Sequence, residues 1–394
     1  MTDATQSSPV ILAAGGTGGH MFPAEALARE LLARGERVVL VTDRRGKAFG
    51  DALPEVEVHR IRASSFGSGI MGKIRGVFEL TLGAFQARRL MSRLKPTAVV
   101  GFGGYPSVPT VLLAQRGGVP TILHEQNAVL GRANRLAAPG AMRIATSFAS
   151  VSTVKPADAG KLVFTGNPVR PNVTAVRDLP YPALDDNGEV RLLVVGGSQG
   201  ARIFSEIVPE ALALLPDALR RRIRIAQQCR PEDIEAAKTA FAKAGIDAEL
   251  STFFRDVPDR LAACHLAICR SGASTVAELA TVGRPALLVP YPYAMDDHQT
   301  ANAQAVADAG GAWLMPQTAF TARALADRLT ALLDLPATLT KAAEAAHARG
   351  ATDAASRLAD VVLATGKSAS LTHSAPHGDQ PRAGADHYST EAAE

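Results

Sequence analysis

Of the residues able to do chemistry in this chain, His20 stands out first, because it closes a run of small residues: Gly15, Gly16, Thr17, Gly18 and Gly19. A loop so poor in side chains lets backbone approach a ligand, and a helix that follows adds unpaired N–H groups and partial positive charge. Such a loop is an anion site. A second glycine loop, "GFGGYPSVP", presents Gly103, Gly104, Tyr105 and Ser107, and "HEQNAVLGRANR", from His124 to Arg135, adds Glu125 and Asn127. Later, "GGSQGA" (Gly196 to Ala201) and "RSGASTVAEL" (Arg270 to Leu279) each open a helix, and two helix N-termini converging from one half of the chain can hold a diphosphate. Ser274 and Thr275 read as caps, while Glu278 lies about one turn further in, where a carboxylate can accept hydrogen bonds from two vicinal hydroxyls. "MDDHQTANA" supplies Asp296, Asp297, His298, Gln299 and Asn302, donors and acceptors suited to sugar hydroxyls. The chain has no Asp-x-Asp pair to hold a hard cation, so helix termini, serine hydroxyls and Arg170 are the expected charge stabilisers, with no metal and no other cofactor.

These loops need strands before them and helices after them. The run from Val10 reads as a buried parallel strand, and the residues after Pro23 read as a helix with proline in its first turn and Leu27, Leu31 and Leu32 on one face. "RVVLVT", "TAVVGFGG", "PTILHEQN", "RLLVVGGSQGA", "RIRIAQQ", "LAICRSGA" and "PALLVPY" alternate with helical stretches, which argues for parallel sheets covered on both faces. The strand, glycine loop and helix pattern restarts at Leu192. The expected fold class is therefore α/β, with two doubly wound domains. Their join falls in "FTGNPVRPNV" (Phe164 to Val173), where Gly166, Pro168 and Pro171 break both helix and strand. Asp43, at the end of the second strand, invites a nicotinamide reading, but G-x-G read from Gly16 and Gly18 puts Met21 at the last glycine position.

At 394 residues, 47% hydrophobic and 20% charged, the chain suits a soluble protein long enough for two domains. A formal net charge of +4 is too mild for a nucleic-acid binder. Cys229, Cys264 and Cys269 lack a zinc-type spacing and are expected to be buried, reduced thiols of a cytoplasmic protein. The N-terminus has no basic signal region and no apolar run reaches spanning length, so membrane contact is expected to be peripheral. The stretch from Phe66 to Lys95 mixes Ile70, Ile74, Phe78 and Phe85 with Lys73, Arg75, Arg88 and Arg89. That pattern fits docking on an anionic leaflet, or a core-facing helix with a solvated basic face.

Taken in order, "GGTGGH", "GFGGYPSVP", "HEQNAVLGRANR", "TGNPVR", "GGSQGARIF", "RSGASTVAEL" and "DDHQTANA" closely resemble the MurG family of glycosyltransferases, which make lipid II for peptidoglycan. The resemblance runs from about residue 8 to residue 365. It implies a GT-B fold of two Rossmann-like domains facing a cleft: 8–166 on the acceptor and membrane side, and 167–350 binding UDP-N-acetylglucosamine. A helix at 351–365 would pack back on the first domain, before a disordered tail at 366–394. The implied reaction is an inverting transfer of N-acetylglucosamine to the C4 hydroxyl of the muramoyl sugar in lipid I, an undecaprenyl-diphosphate-linked muramoyl-pentapeptide. It would take place at the cytoplasmic face of the inner membrane, with cell-wall assembly proteins as further partners and no nucleic acid. Another GT-B enzyme of UDP-sugars, a glycolipid synthase or an epimerase, is the alternative, and the first-domain stretches discriminate against it.

Carried onto this chain, the resemblance puts Arg170 and Ser198 near the nucleotide and diphosphate, Phe254 near the uracil, and Ala273, Ser274 and Thr275 along the donor loop. Glu278 would hold the ribose, His298 and Gln299 the diphosphate and sugar, and Asn127 the donor sugar from the opposite domain. Some members carry glutamine where His298 stands. The first glycine loop would face the lipid diphosphate through Gly16, with Thr17, Gly18 and Gly19 in reach of the donor, and the second through Gly103, Gly104, Tyr105 and Ser107. The attacking hydroxyl needs a proton acceptor, for which His20 and Glu125 compete; histidine is suited by residue type.

Overall fold

The computed structural model describes residues 7–15, 18–43, 53–61, 69–185, 187–197 and 200–373. The first sheet contains β1 (Val10–Ala13), β2 (Val38–Thr42), β3 (Glu57–Arg60), β4 (Ala98–Gly101), β5 (Thr121–Glu125), β6 (Arg143–Thr146) and β7 (Leu162–Phe164) in the order β3-β2-β1-β4-β5-β6-β7. The second contains β8 (Val190–Val195), β9 (Ile223–Gln228), β10 (Asp247–Ser251), β11 (Leu266–Cys269), β12 (Ala286–Leu288) and β13 (Ala312–Leu314) in the order β10-β9-β8-β11-β12-β13. All pairings are parallel, with Ile11 of β1 opposite both Val39 of β2 and Val99 of β4.

Helices cover both faces of each sheet, which is why the strands read as unbroken apolar runs. In β1, Val10 and Leu12 belong to one buried cluster while Ile11 and Ala13 belong to the cluster on the opposite face. In β8, Leu192 and Val194 face one core and Leu193 the other. In both sheets the strand order reverses beside the first strand, between β1 and β4 and between β8 and β11. Loops leaving the carboxyl ends there splay apart and open a crevice, the usual ligand position in a doubly wound sheet.

Two boundaries differ from the sequence reading. The first helix spans Gly18–Ala33, so Pro23 lies inside it rather than at its start. Proline at this depth forfeits the bond to the Gly19 carbonyl and crowds it, and the helix is carried through by the burial of Pro23, Ala24, Leu27 and Leu31. His20 therefore stands on a helix. The last helix spans Ala354–His373, beyond the expected end at 365, because no proline or run of glycines interrupts the sequence there. Its Leu358, Ala359 and Val362 are buried in the first-sheet core, and Arg34 bonds Asp360 and Ser356 across that contact. Residues 374–394 lie outside the described residues.

Candidate active site

A cavity of about 1230 Å³ lies between the carboxyl ends of the two sheets and is lined from both. On the first-sheet side the two glycine loops pack directly on each other. A Cβ at Gly15 would stand 2.7 Å from the Cβ of Pro106, and one at Gly104 would stand 3.3 Å from both the Gly15 carbonyl oxygen and the His20 ring. Gly103 and Gly104 also hold φ of 82° and 72°, which glycine adopts without strain. The backbone of this wall is thus close-packed around the His20 imidazole, whose Nδ1 lies 2.9 Å from Gln126 Oε1.

Glu125, at the end of β5, is 2% exposed and has both oxygens engaged. Oε1 accepts from the backbone N–H of Asn127 at 3.0 Å and from Asn127 Nδ2 at 3.1 Å; Oε2 accepts from the N–H of Gly131 at 2.8 Å and from Asn134 Nδ2 at 2.9 Å. Four donors on one buried carboxylate fasten the loop 126–131 to the strand that carries it.

The second-sheet wall is built around the helix Ala273–Val282, which begins at Gly272 without a side-chain cap. Ser274 and Thr275, expected as caps, instead sit inside the first turn. The helix thus presents uncapped N–H groups at the cavity wall, and their partial positive charge is not offset by a local acceptor. Within that wall, Ser274 Oγ, Arg170 Nε and Arg230 Nε are buried with no hydrogen-bond partner among the described residues. Buried polar atoms of this kind are uncommon, and a polar ligand in the cavity would satisfy them. Arg170 reaches Glu278 Oε1 through Nη2 at 3.1 Å and lies 4.4 Å above the Phe22 ring, so this one cation touches both walls. Burial pushes the Glu278 carboxyl above its ordinary value, and Arg170 pulls it partly back.

Two seams join the walls. Asn302, fully buried on the helix His298–Ala307, accepts from the N–H of Ala128 at 2.8 Å and donates to Asn127 Oδ1 and to the Ser271 carbonyl, each at 3.0 Å. Asp296 accepts from Arg132 at 3.0 Å and also pairs with Arg135. Those hydrogen bonds, with Arg132 the larger influence, hold the Asp296 carboxyl below its ordinary range.

Known proteins share this architecture. Residues 10–146 match the glycosyltransferase family 28 N-terminal domain and residues 191–358 match the glycosyltransferase family 28 C-terminal domain. A relative from Rhodospirillum centenum is 62% identical over 90% of this chain and 94% of its own length. One from Paramagnetospirillum magneticum is 58% identical over 91% and 97%. Both are named UDP-N-acetylglucosamine–N-acetylmuramyl-(pentapeptide) pyrophosphoryl-undecaprenol N-acetylglucosamine transferase. The chain belongs to glycosyltransferase family 28. The crystal structure of Acinetobacter baumannii MurG superposes on it with a TM-score of 0.74 at 31% identity, covering 91% of this chain and 99% of that one. A UDP-GlcNAc 2-epimerase from Neisseria meningitidis shares the fold at a TM-score of 0.63 and 14% identity, covering 90% and 100%.

Of the site residues read from sequence in this family 28 chain, Gly16, Thr17 and Ser198 lie outside the described residues. Of the others, Ser107, Asp297 and Asn302 do not line the cavity, and the rest of the binding and catalytic set does. Ser107 is corrected: it is 3% exposed, and its hydroxyl turns back to the Gly104 carbonyl at 2.9 Å, closing the turn before the next helix. Asp296 lines the cavity while paired with Arg132 and Arg135, and Asn302 is engaged in the seam behind it. Asn127 lines the cavity, yet its Oδ1 is held by Asn302 and its Nδ2 by Glu125. His298 Nδ1 meets the Met295 carbonyl at 2.8 Å, and Gln299 Oε1 accepts from the N–H of Tyr291 at 2.9 Å. Phe254 is 6% exposed beneath the Arg260 guanidinium, 4.1 Å from its ring centre. The sequence reading missed Phe22, Gln126 and Arg230. Arg230 has one local mark, its place two residues past the carboxyl end of β9, the end of the strands at which such sheets bind ligands.

The three cysteines are free and buried, and burial pushes the Cys264 and Cys269 thiols up to about 12, far from a reactive thiolate.

Proposed function

We propose that this chain transfers N-acetylglucosamine from UDP-N-acetylglucosamine to the C4 hydroxyl of the muramoyl sugar of lipid I, releasing UDP and forming lipid II. One observation carries the reading: His20 on the first-sheet wall and an uncapped helix N-terminus with Arg170 and Glu278 on the second line the same cavity. A proton acceptor on one side and an anion-stabilising wall on the other are the two things that such a displacement requires.

In the proposed step the acceptor oxygen forms a bond to the anomeric carbon as its proton passes to His20. The bond from that carbon to the donor phosphate breaks, and its electron pair leaves on UDP. The N-terminus at Ala273, Ser274 Oγ, Thr275 and the Arg170 guanidinium take up the charge gained by the diphosphate, with His298 and Gln299 beside it. Glu278 receives the ribose hydroxyls, Phe254 lies by the uracil, and Gly103, Gly104 and Tyr105 face the lipid diphosphate. We assign residues 8–166 to the acceptor and 167–350 to the donor. The base role falls to His20 rather than Glu125, whose lone pairs are engaged in its own loop.

Because the acceptor is a membrane lipid, the protein would act at the cytoplasmic face of the membrane as a peripheral enzyme. No helix among the described residues is long and apolar enough to cross a membrane. On the helix Gly69–Leu94, Ala87, Leu90 and Leu94 are buried, while Phe85 is 69% exposed with Arg88 and Arg89 exposed near it. An exposed aromatic beside arginines favours an anionic leaflet. The reaction is tested by the anomeric configuration of the product: proton NMR of the disaccharide is expected to give a β-1,4 linkage, and an α linkage would overturn the single displacement.

A further inference from the structure

Gln126 has no part in the step above, yet it is 2% exposed in the cavity wall and bonded at every polar position. Its Nε2 lies 2.9 Å from the His124 carbonyl oxygen and 2.9 Å from His124 Nδ1, and its Oε1 lies 2.9 Å from His20 Nδ1. His124 Nε2 in turn lies 3.3 Å from the carbonyl oxygen of Gly166, in the segment that joins the two sheets.

These contacts determine where the protons are. A carbonyl oxygen can only accept, so the amide atom beside the His124 carbonyl must be nitrogen, which fixes the orientation of the amide. Oε1 then faces His20, and because an amide oxygen also only accepts, His20 Nδ1 must carry a hydrogen. By the same reasoning His124 Nδ1 is bare and its Nε2–H donates to Gly166. Burial, the largest influence on this ring, holds His124 down to about 4, so it stays neutral and its part in the relay is fixed.

We propose that Gln126, steadied by His124, is a positioning residue that locks His20 in the Nδ1–H tautomer and so keeps the Nε2 lone pair available as proton acceptor. In water a neutral imidazole favours the opposite tautomer, with the hydrogen on Nε2, which would leave this nitrogen a donor. Gly104 lies against the same edge of the ring, where a Cβ would come 3.3 Å from Cδ2 and 3.5 Å from Nε2. The catalytic meaning of the lock rests on the glycosyl-transfer reading; the tautomer itself does not.

The test is nitrogen NMR on the full-length protein carrying ¹⁵N-histidine, with the His20 signals assigned by their loss in His20→Asn. In the wild type at a pH where the ring is neutral, Nδ1 is expected to be protonated and Nε2 bare. Gln126→Met keeps the length and removes the amide, so the ring should revert to mainly Nε2–H. In that variant kcat should fall about tenfold or more while KM for UDP-N-acetylglucosamine stays within about twofold. Nε2–H in the wild type overturns the proposal without reference to any variant. An unchanged tautomer in Gln126→Met overturns it as well. The readout needs no turnover, so absent transfer to lipid I alongside the expected tautomer would count against the function alone.

Discussion

The two candidate bases differ in what their lone pairs are doing, and this separates their mutants. His20→Ala removes the proton acceptor, so kcat should fall about a hundredfold or more in a protein that remains folded by circular dichroism; a kcat near wild type would refute the assignment. Glu125→Gln instead presents an amide NH₂ to donors that surround both oxygens, which should lower stability by about 2 kcal/mol or more, measured by urea unfolding. Glu278 gives a pH signature. Its raised pKa means that the folded state holds this proton more tightly than the unfolded chain does. Relative to Glu278→Gln, which cannot ionise, the wild type should therefore lose stability as pH rises through the region above the ordinary carboxylate range. A difference that does not vary with pH would contradict the burial of the charge.

At the scale of elements, the uncapped helix Ala273–Val282 makes a prediction that links stability to binding. Ser274→Asp would supply the missing negative charge, so the thermal midpoint should hold or rise while affinity for UDP-N-acetylglucosamine, by calorimetry, falls about tenfold or more. On the helix Gly69–Leu94, Phe85→Ser should weaken binding to anionic vesicles without unfolding, and undiminished binding would argue against membrane docking there. The strands, the two glycine loops and the repeated topology were legible because buried parallel strands and small-residue turns leave a local signature. The start of the first helix was not, since Pro23 reads locally as a first-turn residue and only packing places it deeper. Nor were the partners of Asn127 and Gln126, because Asn302 is 175 positions from the first and His20 is 106 from the second. Polar side chains carry no mark of which distant group they will meet.

The whole molecule is two similar sheets whose facing edges are useful only when held together, and the seam that holds them is partly electrostatic. Asp296 and Asp297 have φ of 53° and 50°, left-handed values that cost a non-glycine residue about 1 kcal/mol each. Asp296 is held there by Arg132 and Arg135 of the opposite domain. Exposed pairs are worth about 1 kcal/mol or less and weaken with salt. Small-angle scattering should therefore show the wild type expanding slightly as salt rises, with Asp296→Asn already expanded and insensitive to salt. No such difference would mean that Asn302 carries the seam alone. The central claim, that this cleft joins a nucleotide sugar to a lipid-linked sugar, is tested most directly by incubating the purified protein with radiolabelled UDP-N-acetylglucosamine and a short-chain lipid I analogue in EDTA. Label moving into lipid, with an equal amount of UDP released, is the expected result. Label remaining in the donor after its binding has been verified, even with magnesium restored, would contradict it.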